Sequence, residues 1–141
     1  TGLDPQTRKN VWNTILSLQD QENMTIFLTT HYMEEADKAD YVVIIDNGEI
    51  VAKGTPSYLK DEFSTDLLKL KPKDEKKLEE YLKKAGIDYV KEADIYSVKI
   101  AESLASIKII NDLKADLLSF QVLNGTLDDA FINITGKEIR E

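Results

Sequence analysis

Histidine occurs once in the chain, at His31, directly after an apolar segment at residues 24–30. Residues 26–28 are continuously apolar, which is typical of a buried parallel strand. In α/β proteins, ligands bind in the crevice beyond the carboxyl ends of such strands, and His31 would lie there. An imidazole can donate a hydrogen bond to a ligand oxygen. A lone histidine is also commonly a surface or satisfied core residue, so the position, and not the residue type, suggests a function.

Asp4 precedes Pro5, and the pair predicts the start of a helix. An Asp at the N-cap accepts hydrogen bonds from free backbone N–H groups, and proline at the first helical position loses no hydrogen bond. Asp-Pro caps helices in many unrelated proteins. By itself, the dipeptide therefore favours a structural role for Asp4.

Three acidic residues, Glu34, Glu35 and Asp37, follow His31 closely. Carboxylates are ligands for hard cations, but acids in the first turn of a helix also stabilise its dipole. We favour the second interpretation and predict no metal site. With no cysteine and one histidine, thiolate and histidine-rich metal sites are excluded.

The net charge of −8 argues against a nucleic-acid partner, because such proteins carry a basic footprint that neutralises phosphates. The sequence also lacks a run of about 18 apolar residues, the length that would suggest a membrane-spanning helix.

The first half of the chain has an α/β pattern. A helix begins at Pro5, residues 24–30 form a buried strand, and a short helix covers residues 33–38. A second buried strand at 41–45 turns at Asn47-Gly48, a pair that favours a two-residue hairpin. The return strand is followed by a helix that begins at Pro56 and ends near Phe63.

The second half has an α+β pattern, with the order strand, helix, strand, strand, helix, strand. This order is the ferredoxin-like βαββαβ pattern. A closing helix at 127–135 follows, begun by Thr126 and Asp129 as a capping box. Its apolar residues predict that it contacts a neighbouring molecule. The sequence thus predicts two domains, 1–63 and 64–141, and a sheet over 66–136 that folds alone.

Two stretches, Thr1-Gly2-Leu3-Asp4-Pro5 and Thr29-Thr30-His31-Tyr32-Met33-Glu34-Glu35-Ala36-Asp37, resemble consecutive motifs of the ATP-binding-cassette (ABC) ATPases. The first resembles the D-loop and the second the switch-histidine loop. The resemblance implies that His31 contacts the γ-phosphate of ATP as a catalytic residue. It implies that Gly2, Leu3 and Asp4 meet the nucleotide and the opposite subunit across the ATP sandwich.

The same resemblance predicts that residues 1–63 are the C-terminal remnant of a P-loop ABC ATPase domain, without the Walker A, signature and Walker B segments. Residues 64–141 resemble the extension found in the multidrug and daunorubicin-resistance exporter ATPases. The implied function of the full-length parent is ATP hydrolysis, with ATP and Mg²⁺, coupled to transport, in particular export, by a separate membrane permease.

The resemblance further implies a second copy of the ATP-binding subunit as a partner and a location on the cytoplasmic face of the membrane. We expect the 141-residue fragment to bind no cofactor, to be inactive in hydrolysis and to form homo-oligomers. An alternative function for the second half is a regulatory module that senses a small molecule or mediates dimerisation.

Overall fold

The computed structural model describes residues 3–136, and their internal contacts divide the chain into two units, residues 1–31 and 32–141. Each unit is described separately. In chain order the helices are α1 (Pro5–Glu22), α2 (Met33–Ala36), α3 (Pro56–Phe63), α4 (Glu75–Ala85), α5 (Ser106–Leu113) and α6 (Leu127–Thr135). The strands are β1 (Val42–Asp46), β2 (Glu49–Gly54), β3 (Asp66–Pro72), β4 (Tyr89–Glu92), β5 (Ile95–Ile100) and β6 (Leu117–Leu123), and a 3-10 turn covers Ser103–Ala105.

The first unit consists of α1 and the segment that follows it. The Asp4 carboxylate accepts a hydrogen bond from the backbone N–H of Thr7 at 3.0 Å, and Pro5 occupies the first turn, as the sequence predicts. The helix ends at Asn23, which takes the left-handed conformation with φ 52°. Trp12 is the one residue of α1 that is buried.

Residues 24–30 do not form the predicted strand. They have no regular secondary structure, and the Phe27 side chain is 92% exposed. A strand requires a neighbouring strand for its backbone hydrogen bonds, whatever its side chains. In the described part of the chain, no strand pairs with this segment.

The second unit begins with α2 and the hairpin of β1 and β2. The two strands pair antiparallel, and Asn47 and Gly48 take positive φ angles of 50° and 81° at the turn, which confirms the predicted hairpin. The sequence pattern predicts that the strand at 41–45, which corresponds to β1, is buried, and this prediction is wrong. Ile44 is buried, but its neighbour Ile45 is 62% exposed, because only one face of the hairpin finds a packing partner.

A four-stranded antiparallel sheet has the strand order β4-β5-β3-β6. The sheet and its two helices share one core, with these buried residues: Leu68, Leu70, Leu78, Leu82, Tyr96, Val98, Ile100, Ile109, Leu113 and Leu117. Since α4 and α5 both pack into the same core, the sheet has one covered face. All strand pairs in residues 3–136 are antiparallel, so the described fold is α+β with two sheets, and the predicted α/β first half is not observed.

A smaller core holds α6 against α2, α3 and the hairpin. Its buried residues are Met33, Ile44, Leu59, Leu127 and Ala130. One face of the closing helix thus packs within the chain, and its contact with a neighbouring molecule stays a prediction. The C-terminal helix covers Leu59, which would otherwise lie open on α3.

The two cores are joined where the chain enters and leaves the four-stranded sheet. One oxygen of Asp66 accepts a hydrogen bond from the backbone N–H of Gly125 at 2.9 Å, and the other accepts one from the hydroxyl of Ser103 at 2.7 Å. Gly125 lies so close to Ser64 that an added Cβ would overlap the Ser64 hydroxyl and meet the Thr65 nitrogen at 3.0 Å. Only glycine fits here without displacement of the neighbouring chain.

We expect Gly125→Ala to destabilise the protein by about 1–3 kcal/mol, the usual cost of forcing an extra group into a packed site. Urea unfolding of the variant measures this cost. The double variant Gly125→Ala/Ser64→Gly should recover part of the loss, since the overlapping side chain is removed. Wild-type stability in Gly125→Ala would contradict the close approach.

Candidate functional site

His31 lies at a bend that ends the irregular segment 24–30, and it is solvent-exposed. The next residue, Tyr32, is the N-cap of α2, and its side chain makes no capping hydrogen bond. The tyrosine carbonyl accepts hydrogen bonds from the N–H groups of Glu35 at 3.0 Å and Ala36 at 3.2 Å. The candidate catalytic imidazole is thus presented by a loop whose far end is a single helical turn.

Neighbouring elements hold that helical turn in place. Met33 is buried in the smaller core together with Leu127 and Ala130 of α6. Asp37, directly after the turn, forms an ion pair of 2.7 Å with Lys60 of α3. Asp37, one of the three acids that follow His31, therefore has a structural role.

A carboxylate of α6, Asp128, interacts electrostatically with Glu34 of the same turn. The pKa of Asp128 is raised above its ordinary value, first by partial burial and then by the negative charges of Asp129 and Glu34. Asp129 is also the capping residue of α6, where its carboxylate accepts a hydrogen bond from the N–H of Thr126 at 2.9 Å. Sequence reasoning missed the contact of Asp128 with the turn because the two segments are far apart in the chain, and no local pattern signals it.

Asp4 combines its capping bond with a second hydrogen bond, donated by the Thr7 hydroxyl at 2.6 Å. These hydrogen bonds from Thr7 lower the pKa of the Asp4 carboxyl, so it is ionised at neutral pH. Leu3 is 53% exposed beside it. Gly2, the third residue predicted at this site, lies outside the described residues. The described part of the loop thus presents an apolar side chain and a fixed carboxylate to solvent.

Residues 3–136 show neither a metal site nor a membrane-spanning helix. They contain no group of three or more His, Asp or Glu side chains suited to a metal ion. They also contain no helix of the length and apolarity needed to cross a bilayer.

A polar cleft of about 600 Å³ lies beside the Asp66–Gly125 junction. Its lining residues are Ser57, Lys60, Asp61, Ser64, Asp66, Ala101, Glu102, Ser103, Asn124 and Gly125. Its hydroxyl and carboxylate groups would suit a small polar molecule. No local pattern in the sequence predicts this cleft, because three separate stretches of the chain form its wall.

Comparison with known proteins identifies the class. The chain is 30% identical over 146 residues to the daunorubicin/doxorubicin resistance ATP-binding protein DrrA of Streptomyces peucetius, a match that spans 96% of this chain and 44% of that protein. It is 27% identical over 162 residues to the linearmycin resistance ATP-binding protein LnrL of Bacillus subtilis, spanning 99% and 48%. A shorter match of 54 residues is 56% identical to an energy-coupling factor transporter ATP-binding protein of Clostridium novyi, spanning 38% and 19%.

No protein-family model matches the chain. The chain spans about half the length of the drug-resistance relatives that it matches. These relatives and the two loop motifs nevertheless agree, and the chain belongs to the ATP-binding proteins of the ABC transporters. Within that family it resembles the drug-resistance exporter group.

The raised pKa of Asp128 has a consequence for stability. A raised pKa means that the folded state binds the proton more tightly than the unfolded state does. Below the ordinary value of 3.8 both states are protonated, and stability falls as the pH rises through the higher folded value. At neutral pH, the ionised carboxylate therefore destabilises the fold.

We expect Asp128→Asn to be more stable than wild type at pH 7, with the gain disappearing below pH 3.8. Urea unfolding at both pH values measures the difference. Glu34→Gln is the matched variant and should also stabilise at neutral pH, because it removes one of the repelling charges. If Asp128→Asn is less stable than wild type at pH 7, the favourable interaction of the charge with the helix dipole outweighs its burial and repulsion, and the expectation is wrong.

Proposed function

We propose that the chain is part of the ATP-binding subunit of an ABC transporter, and that the full-length protein couples ATP hydrolysis to transport, in particular drug export, by a separate membrane permease. The similarity to a drug-resistance ATP-binding protein over 96% of the chain carries this proposal. The D-loop-like and switch-loop-like motifs support it at the level of individual residues.

In this proposal His31 donates a hydrogen bond to the γ-phosphate of ATP. Its exposed position at the end of an irregular segment leaves the imidazole accessible to a nucleotide. Bound ATP and Mg²⁺ would supply the phosphoryl group and the neutralising charge that phosphoryl transfer requires. The chain itself contributes positioning, since an imidazole held in place before the reaction needs no reorganisation when charge develops on the phosphate oxygens.

Gly2, Leu3 and Asp4 are proposed to meet a second copy of the ATP-binding subunit and its nucleotide. The hydrogen bonds from Thr7 hold the Asp4 carboxylate in one orientation, which suits a contact made across an interface. The permease partner and a location on the cytoplasmic face of the membrane follow from the same proposed function. Self-association of the 141-residue chain stays a prediction.

We further propose that residues 64–141 form a ferredoxin-like domain beside the ATPase portion at 1–63. The strand order β4-β5-β3-β6 with two helices in one core supports this assignment. Its final helix, α6, packs back onto α3 and α2, so the proposed boundary near residue 63 separates two sequence regions that share a core.

A second candidate function is that the domain at 64–141 senses a small polar molecule, in a cleft whose wall also includes Ser57, Lys60 and Asp61 of α3. The cleft of about 600 Å³ at the Asp66–Gly125 junction favours it. Screening small polar metabolites by their effect on thermal unfolding tests this candidate, with Ser103→Ala as the variant that should lose any shift. A screen without a hit dependent on Ser103 would count against it.

In the full-length protein, His31→Ala should lower ATP turnover by a factor on the order of 10²–10³, the usual effect of removing one transition-state donor. Nucleotide binding should remain nearly unchanged. Steady-state phosphate release and fluorescent-nucleotide titration measure the two quantities. Glu49→Ala, on the exposed hairpin turn, is the control and should behave as wild type. Full turnover in His31→Ala would remove the proposed role.

The 141-residue chain by itself should release no phosphate from ATP. It contains no glycine-rich phosphate loop with its lysine, the element that holds the β- and γ-phosphates in this class. The measurement is phosphate release from a purified preparation, with the His31→Ala chain as a control for contaminating ATPase. Turnover that disappears in the control variant would contradict the expectation.

A further inference from the structure

Helix α2 is the shortest α-helix in residues 3–136, yet one of its side chains is buried in the smaller core. Met33 is 9% exposed, and it lies in the smaller core with Leu127, 3% exposed, and Ala130, fully buried. Ala36, one turn later, packs against the same core. One side of α2 therefore rests on α6, the C-terminal helix.

This anchoring matters because α2 cannot hold its own conformation. A single helical turn is far below the length at which an isolated helix is stable in water. Tyr32 provides no side-chain cap, and the turn has only a few backbone hydrogen bonds, such as that from Asp37 to the Met33 carbonyl at 2.8 Å. Tertiary contacts must therefore supply the stability, and α6 contributes Leu127 and Ala130 to the core that holds Met33.

The anchored residue, Met33, is close in sequence to His31. Only Tyr32 separates Met33 from His31. Two trans peptide units span at most about 7 Å, so the backbone of His31 cannot move far once Met33 is fixed. The conformation of α2 thereby limits the directions in which the histidine can be presented.

We propose that α6 is a positioning element for His31: Leu127 and Ala130 hold Met33 and thereby fix the segment that carries the histidine. The structural part of this inference stands on the packing alone, and its effect on turnover rests on the proposed ATPase function. In this proposal, Leu127 and Ala130 make no contact with the nucleotide. They act through α2.

Hydrogen bonds outside the smaller core also hold α6 in place. Three residues connect β6 to α6, and the middle one, Gly125, is held by Asp66 at the start of β3. At its other end, α6 donates a hydrogen bond from the Asn133 side chain to the Phe63 carbonyl at 2.8 Å. Hydrogen bonds near both ends of α6 therefore tie it to the start of β3 and to the end of α3.

The first experiment uses hydrogen exchange in the 141-residue chain and requires no ATP. Leu127→Ala should speed exchange of the backbone amides of Glu35, Ala36 and Asp37 by about tenfold or more, because their protection depends on local opening. Leu82→Ala is the matched control, since it truncates an equally buried leucine in the other core. It should leave these amides unchanged.

Two more variants keep this first test decisive. Leu127→Met preserves volume and should retain wild-type exchange. If Leu127→Ala does not fold, Met33→Ala removes the same contact from the other side and should give the same local increase. Equal acceleration in Leu82→Ala and Leu127→Ala, or no acceleration in either, would overturn the proposal.

The second experiment is a double-mutant cycle on ATP turnover in the full-length protein. Leu127→Ala should lower kcat about tenfold or more with little change in KM for ATP, and Leu127→Met should restore it. In the His31→Ala background, Leu127→Ala should have no further effect, because residues that act through one another are not additive. Equal losses in both backgrounds would overturn the positioning role.

The two experiments separate this inference from the proposed function. If His31→Ala leaves turnover intact, the proposed role of His31 fails, whatever the exchange of α2 shows. If His31→Ala is slow but Leu127→Ala acts independently of it, only the positioning role of α6 fails.

Discussion

The packing of α6 against Leu59, Met33 and Ile44 is the interaction on which the second unit depends. Each element in this small core is marginal alone. A four-residue helix has no independent stability, and an isolated two-stranded hairpin is barely stable in water. Ala130 lets α6 approach closely, since its side chain adds only one carbon, and it is completely buried. The C-terminal helix thus completes a core whose other members come from early in the chain.

The elements of the larger core depend less on a single packing partner. The four-stranded sheet and its two helices bury a continuous apolar face, and Tyr96 is accommodated there because its hydroxyl donates a hydrogen bond to Glu79 at 2.7 Å. Asp66 links this core to the smaller one by binding both Gly125 and Ser103. The partly buried Asp66 carboxylate adds directional hydrogen bonds that apolar packing does not supply. The result is a sheet whose entry and exit are held together beside α3 and α6.

Charge plays a smaller role in stability and a larger one in local arrangement. The ion pairs between described residues are on the surface, where such pairs contribute little. Lys60 nevertheless places Asp37 at the end of α2, while Asp128 and Glu34 repel each other across the same turn. The α2 turn next to His31 thus has one attractive ion pair and one repulsive charge pair, in addition to its apolar contact with α6.

Local chemistry in the sequence determined several features without help from the fold. Asp4-Pro5 begins α1, Asn47-Gly48 makes the hairpin turn, and Thr126 with Asp129 caps α6, because each depends on atoms only a few residues apart. Alternating side chains likewise predicted β3 and β5. The motifs around Asp4 and His31 also identified the family from the sequence.

Tertiary structure decided the features that depend on distant partners. Residues 24–30 have the composition of a buried strand, yet a strand forms only where another strand pairs with it. Ile45 is apolar but exposed, and α6 packs onto Leu59 within the chain. Burial of a side chain depends on contact between two segments, and the local sequence of one segment does not specify the other. For that reason only the folded chain shows that its C-terminal helix supports the segment that presents His31.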